Sequence, residues 1–233
     1  MTPTARTTAV LMISAAVLVN VAFTGLGVVF DYPDVLKHPA AEVLASFRAS
    51  QGAVSSWFLL LALGAALLAP VALGVGRLSD APAMRWAVRA GVAAAVVQVV
   101  GLLRWPLLVP GWAAAAAGEN PAAEEAFTTA NGVLGNLIGE TGGYLLTAAW
   151  TALVLVALGT AFAGRLFVAV GGVAAALILL GVASPLDLPL VDLLNFVGYV
   201  LWSGWLAAFG VVLLVRRSPG ADRGTVSNRV ARS

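Results

Sequence analysis

Arg104 and Glu140 are an arginine and a glutamate inside two otherwise apolar stretches, GLLRWPLLVP (101–110) and LGNLIGETGGY (134–144). An ionisable side chain at bilayer depth costs ~2.5–3.5 kcal/mol on insertion scales, which makes each a functional candidate whose partner has to be named. Each is the other's natural partner across one short outer loop. At ~1.5 Å per residue from that loop their depths come to roughly 8 and 14 Å, a gap that an arginine side chain spans. Asn136, Glu140 and Tyr144 recur every fourth residue, on one face of an α-helix. Asn195 and Tyr199 repeat the spacing near the end of the apolar region. The expectation is a polar cluster of Arg104, Asn136, Glu140, Tyr144, Asn195 and Tyr199, with Gln98 and Asn20 beneath it.

Several readings fit such a cluster, among them a conduction or proton path, for which the inner half of the bundle is too apolar. It could be an outward-facing pocket for a small anionic or amphipathic molecule or a lipid headgroup, serving transport or envelope sensing. It could be an intramembrane enzyme in which Glu140 is the general acid toward a lipid-soluble substrate. Arg104 weighs against that, since a neighbouring cation stabilises the ionised carboxylate, which has no proton to give. Or Arg104 and Glu140 could form an ion pair that only fixes helix register. The chain has no nucleophile elbow, phosphate-cradling glycine loop or metalloprotease helix, which disfavours the enzyme reading. Cysteine is absent and His38 is the single histidine. Disulfides, thiolate metal sites and iron–sulfur clusters are therefore excluded, and neither a metal nor a cofactor is expected. His38, between Lys37 and Pro39, reads as a solvated loop residue.

The elements that must position these residues are apolar. Of the 233 residues 61% are hydrophobic and 10% charged, with a mean hydropathy of +0.96; a soluble domain carries about 25% charged residues. The expected fold class is all-α, an integral membrane bundle of six transmembrane helices at about 9–30, 53–76, 84–109, 131–162, 166–183 and 190–215. A disordered basic tail, 216–233, follows. The first run is too long for a signal-peptide core of about 7–15 residues and is kept as a helix. Pro106 and Pro110 are expected to end the third helix, leaving a loop at 111–129. Asn20 and Thr24 read as polar glue between helices, and Trp105 and Trp112 as interfacial anchors. In the first loop Val43, Leu44 and Phe47 recur at helical spacing, as in a lid lying on the outer surface. Gly135, Gly139 and Gly143 form a stripe for close helix approach, within the chain or in a homodimer.

Orientation follows from the basic residues. Arg6, Arg77, Arg85, Arg89, Arg165 and the five tail arginines fall on one side, and only Lys37 and Arg48 on the other. Both ends are therefore expected in the cytoplasm, with the protein a multi-pass component of the cytoplasmic membrane. The net charge of +2 reports this topology and contact with anionic lipid, not nucleic acid. The two stretches quoted above, with FDYPDVLKHPAAEVLASF (30–47), resemble an uncharacterised family of six-helix bacterial membrane proteins known as a domain of unknown function. The resemblance implies the six-helix fold and attention to Arg104, Trp105, Gly139 and Glu140. It implies no activity.

Overall fold

In a computed structural model, residues 3–118, 120–186 and 188–216 are described. Glu119, Asp187 and the tail from Arg217 lie outside them. The described residues are helical, with no strand among them. The long helices are α1 (Pro3–Phe30), α3 (Gln51–Ala66) continued by α4 (Leu68–Val75), α5 (Pro82–Leu107), α8 (Gly143–Leu180) and α9 (Val191–Val215). Shorter ones are α2 (Ala40–Ala49), α6 (Val109–Ala116) and α7 (Pro121–Ala130). A π-helical segment, Asn131–Gly142, joins α7 to α8.

Prolines set several boundaries. Pro82 and Pro121 open α5 and α7, where a missing N–H costs nothing. The Asn120 side chain caps α7 by accepting from the Ala122 amide at 3.1 Å. Pro70 leaves the Ala66 carbonyl without its helical donor, and the helix breaks at Leu67 between α3 and α4. Pro106 does not end α5; the chain turns two residues later at Leu108 and runs on as α6. The expected loop at 111–129 is thus largely helical, folded as α6 and α7.

α8 doubles back on itself. Gly159 (φ 59), Ala163 (φ −142) and Gly164 (φ 83) leave helical geometry, and the two glycines hold left-handed values that a side chain would strain. Across the break Phe162 and Phe167 rings lie 5.6 Å apart, a Cβ on Gly171 would sit 3.2 Å from Leu155, and one on Gly181 would sit 2.8 Å from Tyr144. α9 pairs with α1 in the opposite sense, Gly210 against Ala9 and Phe23 against Phe196. α1 therefore begins and α9 ends at the same end of the bundle. The order α1, α3/α4, α5, α8, α9 and back to α1 closes a ring.

Five helical stretches, one of them containing this reversal, are long and apolar enough to cross a membrane. Their outer faces carry exposed Val17, Val28, Leu63, Val96, Val156 and Val211, so the apolar surface lies outside as well as within. The chain is a multi-pass membrane protein. Its interior has two apolar clusters. One, around Trp150, Trp205 and Phe209, fills the end where α1 begins and α9 ends. The other, around Phe30, Phe47, Phe58 and Trp105, fills the opposite end, beneath α2. As the spacing predicts, Val43, Leu44 and Phe47 are the buried face of α2, and the helix is tied across by Arg48 donating to the Ala113 carbonyl at 3.2 Å.

The backbones of α5 and the π segment approach closely. A Cβ on Gly101 would lie 2.7 Å from the Gly139 Cα and 2.9 Å from the Leu134 carbonyl oxygen, neither of which can move aside. Gly101→Ala is therefore expected to destabilise the protein by about 1–3 kcal/mol. Gly204→Ala, whose Cβ meets nothing within 4 Å, should change stability by no more than about 0.5 kcal/mol. Denaturant unfolding of both variants in one detergent checks the contrast.

Candidate functional site

Arg104 lies one turn beyond the Gly101–Gly139 contact, over Gly135. A Cβ there would be 2.6 Å from its Nη2. The side chain points back toward the start of its helix, as helical side chains do, and Nη1 donates to the Gly101 carbonyl. Nη2 donates to the Asn131 amide oxygen at 2.8 Å. Arg104 is 4% exposed, and its guanidinium carbon lies 5.3 Å from the Trp105 ring centre. The glycine stripe expected on the fourth helix is used within the chain: Gly135 faces Arg104, Gly139 faces Gly101, and Gly143 faces Gln98.

The winding of the π segment changes which residues face α5. Its i→i+5 bonding winds it at between about four and five residues per turn, so that a face recurs roughly nine residues on after two turns. Asn131, Gly135 and Glu140 thereby share the inner side, while Asn136, expected beside Glu140, is exposed. Asn131, which the sequence reading used only as a helix boundary, takes the role given to Asn136. Four glycines in twelve residues, NGVLGNLIGETG, remove the side chains that would crowd a wider helix at its contact with α5.

Glu140 is half-buried. It lies within electrostatic reach of Arg104 and Asp192, yet no ion pair joins it to Arg104: the ion pairs among the described residues are Lys37–Asp34 at 2.6 Å and His38–Glu42 at 3.1 Å. His38 is exposed, as expected. Tyr144 and Tyr199 meet with ring centres 5.8 Å apart. Asn195 is buried but turned away from Arg104, donating to the Ile178 carbonyl at 2.8 Å. Gln98 donates to the Thr147 hydroxyl at 3.2 Å. Asn20 is not beneath the cluster: it and Thr24 are exposed and bond their own helix, Asn20 to the Ala16 carbonyl at 2.7 Å and Thr24 to the Asn20 carbonyl at 2.8 Å.

Three further residues belong to this layer. Tyr32, from the first loop, brings its hydroxyl to the Arg104 guanidinium. Burial pushes its pKa up to about 12, with Glu140 adding to the rise and Arg104 opposing it, so the phenol stays protonated. Thr147 and Thr151 extend the polar ladder inward. The Thr151 hydroxyl donates to the Thr147 carbonyl at 2.9 Å and accepts from the Trp202 indole at 2.8 Å. An indole N–H donates only, so the ladder stops there, against the apolar cluster of Trp150 and Phe209. The signal for the threonines was in the sequence, since Thr147 and Thr151 continue the four-residue spacing of Gly135, Gly139 and Gly143.

Trp105 is not an interfacial anchor. It is fully buried, stacked on Phe58 with centres 4.8 Å apart and edge-on to Phe30 at 5.1 Å, because α2 and α7 cover it. Trp112 is half-buried. Trp86 is the more open tryptophan, 60% exposed with the Arg89 guanidinium 4.6 Å from its ring. A surface cavity of about 530 Å³ lies along α7 and the π segment, lined by residues that include Glu125, Ala126, Ala130 and Leu134 but neither Arg104 nor Glu140. No group of three or more histidine, aspartate or glutamate residues able to hold a metal occurs among the described residues.

Loss of the Asn131 acceptor leaves a buried charged donor short of a partner. Asn131→Ala is expected to cost about 1–3 kcal/mol, and Asn136→Ala no more than about 0.5 kcal/mol. Equal losses in denaturant unfolding would return Asn136 to the inner face.

Comparison of the chain with protein-family models, curated proteins and solved structures finds no match. The family resemblance therefore stands on its motifs alone.

Proposed function

We propose that the polar layer beneath α2 is a ligand pocket of a cytoplasmic-membrane protein that crosses the bilayer six times with both ends inside. The ligand is a small molecule or a lipid headgroup, bound from the outer side, in the service of transport or envelope sensing. One observation carries this reading. Arg104 is buried, its two bonded nitrogens are matched to neutral acceptors, and no carboxylate contacts it. A buried charge left without a counter-charge is costly, by several kcal/mol, and such a group is retained where something else completes it. Glu140 as a general acid is the second reading, favoured by a carboxyl group with no ion pair beside Tyr144 and Tyr199. The termination of the ladder at Trp202 weighs against a conducting path.

Native mass spectrometry of the purified protein is expected to show a retained small molecule or lipid whose occupancy falls about tenfold in Arg104→Lys, which keeps the charge and loses the planar fork. A folded wild type that retains nothing above the bulk-lipid level would overturn the pocket.

The orientation is testable with little background, because the chain has no cysteine. Gly111→Cys is expected to react with an impermeant maleimide in intact cells, and Arg85→Cys only after permeabilisation. Both positions are exposed. The opposite labelling pattern would invert the topology.

A further inference from the structure

Two neighbouring residues of α5 each bury a donor with no acceptor: the Nε of Arg104 and the indole Nε1 of Trp105. Arg104 is 4% exposed and Trp105 0%. A third orphan, the Trp150 Nε1, is one neutral donor beside Gly91 and Ala72 in the apolar cluster, where nothing charged accompanies it. The pair at 104 and 105 differs, because one member carries a full charge whose existing partners, a backbone carbonyl, an amide oxygen and the Tyr32 hydroxyl, are all neutral. A water molecule could satisfy either N–H but would leave that charge unbalanced. An oxyanion satisfies the donors and balances the charge together, and the edge of a guanidinium matches a carboxylate or phosphate in a two-bond fork. The protonated Tyr32 hydroxyl stands at the same guanidinium and supplies a further donor.

We propose that Arg104 Nε, Trp105 Nε1 and the Tyr32 hydroxyl form a binding site for a carboxylate or phosphate oxyanion. The site rests on the reading of this layer as a ligand pocket and narrows its ligand to one charge class. Phe47 of α2 packs against Trp105, with ring centres 5.9 Å apart, so the anion reaches the donors with α2 displaced. Glu140, within electrostatic reach of Arg104, repels an incoming negative charge, so its neutralisation strengthens binding. That sign separates an anion site from one in which Glu140 is itself the missing partner of Arg104.

The test uses the full chain in nanodiscs of zwitterionic lipid, with the unfolding midpoint followed as ligand is added, since a ligand of the folded state raises it. The probes are dodecyl phosphate, laurate, inorganic phosphate and the uncharged dodecyl maltoside. Dodecyl phosphate or laurate is expected to raise the midpoint saturably. Trp105→Phe keeps an aromatic ring against Phe58 while removing the N–H and one ring of the indole; it should weaken binding about tenfold, as loss of one bond to a charged group predicts. Glu140→Gln should bind as tightly as wild type or more so. A response to inorganic phosphate as well identifies a free anion as sufficient, and a response to the amphiphiles alone identifies a lipid-like head; either supports the site. Anion binding that is unchanged in Trp105→Phe, or weakened in Glu140→Gln, overturns it. Binding of dodecyl maltoside that depends on Arg104, with no response to the anions, overturns the oxyanion site and leaves the pocket standing. No response to any probe overturns both.

Discussion

The contact of Gly101 with Gly139 sets the geometry on which the rest of the lid end depends. With hydrogen in place of a side chain on both residues, the backbones of α5 and the π segment meet, and van der Waals packing replaces the hydrophobic force that lipid does not supply between helices. That approach decides what lies one turn further out. Arg104 can only lie flat over Gly135, its guanidinium delivered to Asn131 and to its own helix's carbonyl. A bulkier pair at the crossing would hold the helices apart and leave the guanidinium without Asn131, with only its own helix's carbonyl as an acceptor.

The polar layer is bounded by two aromatic clusters of different character. Toward the end where α1 begins and α9 ends, Trp202 and Trp205 each find an acceptor, the Thr151 hydroxyl and the Phe167 carbonyl, so that cluster is rigidly specified except at Trp150. Toward the lid, Trp105 has none. The lid cluster is also the one closed by short helices, α2, α6 and α7, rather than by long ones. Short elements with few buried contacts open at lower free energy than the bundle they cover. The one charged unsatisfied group, on Arg104, and the cover of short helices thus occur at the same end.

Arg104 and Glu140 illustrate how a pairing inferred from depth can be right about the layer and incomplete about the contact. Both occupy the same end of the bundle and act on each other electrostatically. The contact itself is decided by the packing: Arg104 lies over Gly135 and reaches Asn131, while Glu140, on the same inner side, forms no ion pair with it.

By itself the sequence determined the membrane-protein class, the apolar helices within a few residues at most ends, the buried face of α2, and the identity of the end at which polar residues gather. Those features follow from composition, period and proline position, which are local and read directly. Tertiary structure decided the rest. The exposure of Asn136 and the use of Asn131 depend on a π winding that arises where glycines pack on α5, and a four-residue period read along one segment carries no trace of the partner helix. Likewise the burial of Trp105 depends on α2, α6 and α7 folding over it, and the outward turn of Asn20 on which face of α1 meets α3 and α9. An indole or an amide near a helix end has the same local sequence whether it meets lipid, water or protein. Only the packing of segments distant in the chain distinguishes them.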